Sequence, residues 1–504
     1  MRDAVLPCFL RGNMNRSSGI LLPIFSLPSP YGIGTLGKSA YDFVDFLADA
    51  KQSYWQILPV GPTSLGNSPY TSYSTFAGNP YFIDLDMLVE DKLLKKSEIN
   101  SVEWQSDKNK IDYDILGENR LNLLKIAFKR SKESEQIAEF VNSNAWVKNY
   151  ALYMALKDYF GGESWMDWED EEIRLHHPLA VERYSEKLKD EVDFFIFVQY
   201  LFYKQWTALK KYANENGVKI IGDIPIYVAL DSCDVWSEPE NFFLDEKNVP
   251  KKIAGVPPDY FSEEGQLWGN PLYDWNFMKN DGYGWWIRRI DGAAKLYDVI
   301  RIDHFRAFES YWAVDIDEET AKNGEWIKGP GIDLVRTLTN WFYNIEFIAE
   351  DLGILTPEVN QLIEESGLPG MKVLEFAFDL QTPSSYLPHR YNENCVCYTG
   401  THDNNTLSGW QKSADKNDLQ FASDYLGLNT KEGFNFGVIR GGMSSVAKLF
   451  IAQMQDYLGL DENSRINTPG TVGDNWNWKL DSAKELNKSL SSKIAKMTKM
   501  YGRC

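Results

Sequence analysis

Three carboxylates stand out by their neighbours. Asp303 lies in Arg301-Ile302-Asp303-His304-Phe305-Arg306, Glu350 in Ala349-Glu350-Asp351-Leu352-Gly353, and Asp403 in Gly400-Thr401-His402-Asp403-Asn404. From Val299 to Phe305 apolar and polar residues alternate as in a β-strand, so Arg301 and Asp303 project to one face and Ile300 and Ile302 to the other. A guanidinium two residues before a carboxylate on the same face can hold it ionised at neutral pH. An ionised, oriented aspartate can attack a sugar. Two carboxylates flanking a glycosidic bond can cleave it, one as nucleophile and the other as acid/base. A structural ion pair is the plainer account of an isolated Arg-x-Asp, and helix capping or an arginine partner would explain any one of the three acids taken alone. Of the five histidines, two (His304 and His402) directly adjoin two of these acids, where a neutral imidazole can hydrogen-bond sugar hydroxyls. No His-rich ligand set accompanies the acids, so neither a metal nor a cofactor is expected.

Each acid ends a separate expected strand: 299–305, 346–353 and 395–400. Further strands are expected at 19–25, 54–60, 218–228 (with Asp223 near its end) and 371–378 (ending at Asp379). Helices fall between them. One spans 39–50 and another runs from Val192 to Glu215, closed by Gly217. Others are expected at 285–296 and 332–343, and a further one opens with Thr356 as N-cap and Pro357 at its first position and stops at Gly367. Recurrent strand, polar loop and helix, with acids at strand ends, describe an α/β fold of the (β/α)8 TIM-barrel type, in which strand C-termini meet at one mouth. No glycine-rich phosphate fingerprint follows a strand, which argues against a doubly wound nucleotide-binding sheet.

Residues 1–504 are therefore expected to form a single barrel with two insertions. Residues 86–190 read as an inserted helical subdomain. Residues 231–284 read as an insertion bearing a lid at 255–271, with the Gly and Pro hinges and the aromatic content of a lid. The long Ser-, Gly-, Asn- and Tyr-rich loop 61–80 suits a functional role. Residues 309–330 read as loop. After Asp403 only a mostly helical tail is expected, with a Trp- and Asn-rich loop at 465–478 and no C-terminal β-sandwich.

With 43% hydrophobic and 25% charged residues, the chain has the composition of a globular protein with a substantial core. A net charge of −20 argues against nucleic acid or an anionic membrane as partner. The 17 Trp and 27 Tyr mostly suit a core, but those in loops, such as Trp268 and Trp275, could serve as platforms for the apolar faces of sugars. Cys8, Cys233, Cys395, Cys397 and Cys504 are odd in number and scattered, as expected of free thiols in a reducing compartment. No stretch has the apolar length of a membrane span, and residues 1–13 lack a signal-peptide core, so a cytoplasmic location is expected. Residues 1–13 look like an extension before Met14, either a true leader or sequence upstream of the natural start.

The three acidic segments resemble the catalytic segments of the α-amylase clan. Ser17-Ser18-Gly19-Ile20-Leu21-Leu22-Pro23, the run from Pro28 to Gly37, and Gly66-Asn67-Ser68-Pro69-Tyr70 resemble 4-α-glucanotransferases (amylomaltases, or disproportionating enzymes). Gly222-Asp223-Ile224-Pro225-Ile226-Tyr227 and Leu267-Trp268-Gly269-Asn270-Pro271 do so too, and the resemblance runs through nearly the whole chain from residue 14. It implies Asp303 as nucleophile kept ionised by Arg301, Glu350 as acid/base, and Asp403 as a grip on sugar hydroxyls that favours the distorted ring. It further implies that His304, His402, Tyr70 and Asp379 bind the sugar at the cleavage point. Trp268 and Gln266 would stand on the acceptor side in the lid, and Asp223 and Asn467 would bind substrate. The implied reaction moves α-1,4-glucan segments from maltooligosaccharides, starch or glycogen-derived glucans to the 4-hydroxyl of glucose or another glucan. It proceeds with retention, the two carboxyls lying roughly 5–5.5 Å apart.

Overall fold

Strands buried on both faces read as short, nearly continuous apolar runs, and parallel sheets are built from such strands. The computed structural model describes residues 15–504 apart from 65, 105–106, 133, 259–261, 354 and 381–383. The extension 1–13, Cys8 and part of the expected lid lie outside the described residues. In chain order the strands are β1 Ser17–Leu21, β2 Tyr54–Gln56, β3 Lys219–Ile224, β4 Lys252–Val256, β5 Gln266–Pro271 and β6 Val299–Ile302. There follow β7 Ser310–Asp315, β8 Gly324–Lys328, β9 Glu346–Ala349, β10 Gly370–Val373, β11 Cys395–Tyr398 and β12 Leu449–Gln453. Eight of them form one sheet in the order β10-β11-β12-β1-β2-β3-β6-β9, with parallel pairing throughout. The Ala349 amide donates to the Pro369 carbonyl at 3.0 Å, which draws β9 against the start of β10. The result is a (β/α)8 barrel.

The barrel needs an eighth strand that the tail was not expected to supply. β12 is buried at every position and pairs in parallel with β1 from Ser17↔Leu449 to Leu21↔Gln453. A strand buried on both faces shows no alternation, and this one runs directly into the helix Met454–Leu458, so it reads as part of a helix. Residues 309–330 also differ from the expected loop. β7 and β8 lie there and pair antiparallel, completing a second sheet in the order β5-β4-β7-β8. β8 is largely exposed, so it lacks the buried alternate face that marks a strand in sequence. β10 stops at Val373 rather than Phe378 and passes into a 3-10 turn at Leu374–Phe376, leaving Asp379 well beyond the strand end.

Between β2 and β3 run the helices Tyr113–Arg130, Glu135–Ser143, Trp146–Tyr159 and Pro178–Lys187, which all contact the long helix Lys189–Glu215. Two buried glutamines of that long helix hold the Tyr70-bearing segment. Gln199 exchanges hydrogen bonds with the backbone of Gly78 at 2.8 and 2.9 Å, and Gln205 does so with Asp84 at 2.7 and 3.2 Å. Among the described residues no helix is long and apolar enough to cross a membrane, and Cys233, Cys395, Cys397 and Cys504 are free.

The tail is pinned to the foot of the barrel by Arg503, which is fully buried. Its guanidinium donates to the carbonyls of Ser17 (2.8 Å), Met443 (2.8 Å) and Ser445 (3.1 Å), tying the chain end to β1 and to the approach to β12. Arg503→Ala takes the guanidinium from Ser17 O and leaves the Met443 and Ser445 carbonyls to Arg16 alone, at 3.1 and 2.8 Å. The expected cost is about 3 kcal/mol, seen as a lower Tm by calorimetry with activity unaltered in the protein that remains folded.

Candidate active site

The strand alternation at β6 has the expected consequence. Buried Arg301 points Nη1 at Asp303 Oδ1 (2.9 Å) and at Asp223 Oδ2 (2.6 Å), a residue of the neighbouring strand β3. Tyr70, from the long loop after β2, donates its hydroxyl to the same Asp223 oxygen at 2.7 Å. Burial raises the Asp223 carboxyl, and the guanidinium opposes it. The Arg301 guanidinium, paired with Asp223 and Asp303, is charged throughout the accessible pH range. Its Nε also meets Met371 Sδ at 3.4 Å, a contact with no signal in the sequence.

Glu350 follows β9, next in the barrel. Its amide donates to Ile302 O at 3.0 Å and the Asp303 amide to Ile224 O at 3.0 Å, so the ladder hydrogen bonds carry both acids one step past their strand ends. His304 then turns into the left-handed region at φ 50°, a cost of about 1–3 kcal/mol for a non-glycine residue. The turn aims its amide at Glu350 Oε2 (2.7 Å), while the Leu352 amide reaches Oε1 (2.7 Å). These donors fix the carboxyl but do not decide its charge. Burial first and the Asp303 charge second push Glu350 up to about 8, against Arg301 and both amides, so it carries its proton at neutral pH. The His304 imidazole is lowered to about 3 by burial and by Arg306, and is therefore neutral. The Trp268 ring, on β5, stands edge-on to it with centroids 4.9 Å apart.

Asp403 has the opposite character. Burial would raise it, but His402 Nε2 at 3.3 Å and Asn467 Nδ2 at 2.6 Å bring it down to about 2, so it is an anion. Burial likewise works against a charged His402, and the Asp403 partner more than reverses it, raising the imidazole. The His402 ring stacks on Tyr70 with centroids 5.1 Å apart and an interplanar angle of 24°. Arg465 was not singled out from the sequence. It donates to the Asp403 carbonyl (2.5 Å) and the Asn467 carbonyl (2.7 Å), joining the tail loop to the end of β11.

The fold thus gathers Tyr70, Asp223, Arg301, Asp303, His304, Glu350, His402, Asp403 and Asn467 at the mouth, each joined to at least one other by a hydrogen bond or charge contact. Trp268 stands beside His304, 37% exposed, and its Nε1 donates to Gln266 Oε1 at 3.2 Å. Asp379 is exposed and lies well beyond the end of β10. Among the described residues no three His, Cys, Asp or Glu side chains gather as a metal site.

A sequence model of the family described as 4-alpha-glucanotransferase matches residues 22–485, which include every residue of this cluster. The chain belongs to the 4-alpha-glucanotransferase family. The 4-alpha-glucanotransferase of Clostridium butyricum is 48% identical over 486 residues, covering 95% of this chain and 99% of its own. That of Streptococcus pneumoniae serotype 4 is 46% identical, with 97% of each chain covered. Among solved structures, the amylomaltase from Streptococcus agalactiae in complex with acarbose superposes with a TM-score of 0.94 at 40% identity, covering 97% of this chain and 99% of that one. The family match takes in the three strands that lead to Asp303, Glu350 and Asp403, and the tail loop that reaches Asp403.

Proposed function

We propose that the protein transfers α-1,4-glucan segments from a maltodextrin or starch donor to the 4-hydroxyl of glucose or another glucan. The observation that carries this reading is the pairing at the mouth: an aspartate held against a buried guanidinium beside a glutamic acid that keeps its proton at neutral pH. In the proposed reaction Glu350 gives its proton to the glycosidic oxygen while Asp303 attacks the anomeric carbon, so that the bond to the leaving glucan breaks and a covalent glucosyl ester forms. Glu350, now a carboxylate, takes the proton of the incoming 4-hydroxyl, whose oxygen displaces Asp303 with overall retention. Arg301 Nη1 holds Asp303 Oδ1 at 2.9 Å and orients it for attack. Asp403 holds sugar hydroxyls as an anion and favours the oxocarbenium-like ring, and His304, His402, Tyr70, Asp223 and Asn467 surround that sugar. Asp379 is assigned a contact with the same sugar. No cofactor enters these steps.

Residues 86–190 and 231–284 act as inserted subdomains of the one barrel in this reading. The segment 255–271, with Gln266 and Trp268, covers the acceptor side and excludes water. Trp268→Ala is expected to raise the KM for a glucose acceptor by about tenfold, the scale of one lost stacking contact, and to increase the hydrolysed share of product. An unchanged ratio of transfer to hydrolysis would remove the lid from the mechanism. A cytoplasmic setting is inferred from the free thiols, and the net charge of −20 disfavours nucleic acid and anionic membranes as partners.

Incubation with maltotriose tests the reading. Longer oligomers appearing together with free glucose support it. Maltose and glucose alone would mark a hydrolase, and no turnover with intact glucan binding would mark a scaffold.

A further inference from the structure

The tail loop 465–478 does more than bring Asn467 to Asp403. Trp476, near its end, is 7% exposed and adopts φ of +64°, a left-handed backbone that a bulky residue rarely takes. Such a conformation persists only where the surroundings over-determine it. The surroundings here are specific. The Trp476 amide donates to Ile466 O at 2.8 Å, and its carbonyl accepts the Tyr113 hydroxyl at 2.7 Å. The residues that follow, 477–479, are seamed to the stretch just before helix Tyr113–Arg130. Ile111 N donates to Asn477 O (2.8 Å), Lys479 N to Asn109 O (2.9 Å), and the Lys479 ammonium to Lys108 O (2.7 Å). Lys110 and Trp478 form an isolated antiparallel bridge between the two segments.

The indole that this strained backbone presents lies 5.8 Å, centroid to centroid, from both the Tyr70 ring and the His402 ring. Those two rings stack on each other, and the Tyr70 hydroxyl is shared between Asp223 Oδ2 at 2.7 Å and His402 Nδ1 at 3.4 Å. Rotation of Tyr70 would loosen its contact with Asp223, and rotation of His402 its contact with Asp403. We propose that Trp476 is a positioning residue for the sugar at the cleavage point, held in its strained conformation by Tyr113, so that residues 109–113 brace the active site from outside the barrel. The inference rests on the transferase reading of the mouth. It assigns residues 109–113 of the region between β2 and β3 a part in the chemistry that substrate contact alone would not reveal.

The experiment uses the full chain with Trp476→Gly, Trp476→Phe and Tyr113→Phe. It reads kcat and KM for maltoheptaose disproportionation and Ki for 1-deoxynojirimycin, a cationic mimic of the ring at the cleavage point. Glycine accepts the left-handed backbone without strain, so Trp476→Gly removes the ring while sparing the turn. With Trp476→Gly, kcat is expected to fall and Ki to rise by about 50-fold, the scale of a small misplacement of reacting groups, while KM stays within about twofold. Trp476→Phe restores part of the loss. Tyr113→Phe lowers kcat and raises Ki by about fivefold without lowering Tm. If Trp476→Gly does not fold, Tyr113→Phe decides, since it removes only one hydroxyl. Ki and kcat within twofold of the parent, or KM and Ki rising by the same factor, would overturn the brace. Asp303→Asn is measured alongside. If that variant still transfers glucan, the reading of the mouth itself has failed rather than the brace.

Discussion

Asp303→Asn abolishes transfer while glucan still binds. The substitution keeps the shape of the side chain and an oxygen for Arg301 Nη1, which now sits 2.9 Å from Asp303 Oδ1. What it removes is the anion that would form the ester with the anomeric carbon. Loss of the attacking group of a concerted set costs on the order of 10⁴-fold or more in kcat. Tyr70, His304, His402 and Asp403 are untouched, so calorimetric affinity for a maltooligosaccharide should stay within a few-fold of the parent. Transfer surviving within tenfold would exclude Asp303 as nucleophile. Loss of binding together with turnover would instead mean that the Arg301–Asp303–Asp223 group shapes the site.

Glu350→Gln separates the proton from the fold. With Glu350 raised to about 8, the parent enzyme should transfer at full rate at neutral pH and lose activity as pH climbs through that value, because the acid gives up the proton it must donate. The glutamine variant should be about 10³-fold slower on maltotriose and show no such alkaline limb. A donor with a fluoride leaving group needs no proton, so formation of the covalent intermediate from α-glucosyl fluoride should be far less affected. An alkaline limb retained in Glu350→Gln would assign it to another group. The same shift makes a stability prediction. The folded chain holds this proton up to about 8, whereas the unfolded carboxyl loses it near 4.5. The stability due to Glu350 is therefore complete below about 4.5 and declines as pH rises toward and through 8. At pH 7 the loss is on the order of 3 kcal/mol. Glu350→Gln should thus unfold at a higher Tm than the parent, by a margin that grows from pH 5 to 8.

Legibility of the fold followed the local signals. The strand at β6 announced itself by alternation, and the helix Pro357–Ser366 by its cap: Thr356 Oγ1 accepts the Val359 amide and Gly367 closes the helix at φ 65°. β12 did not, because a strand covered on both faces has no polar alternation and its partners are β1 and β11, distant in the chain. β7 and β8 were missed for a different reason. β8 is an exposed antiparallel edge, and β7, mostly buried between β4 and β8, takes its identity from pairing with both rather than from its own pattern.

The order of residues along the chain sets which side chains are acidic, basic or aromatic and where each stands relative to its strand. Arg301 and Asp303 share a face because a strand repeats every two residues, and that holds before anything packs. The charge each acid carries was decided only by the tertiary structure. Glu350 and Asp403 look equivalent as strand-end carboxylates, yet one is a neutral acid and the other an anion. The difference comes from non-local neighbours: Asp303 beside the buried Glu350, and Asn467 from the tail loop, together with His402, on Asp403. Electrostatic interactions depend on distance and burial in space, and closing the barrel is what sets both.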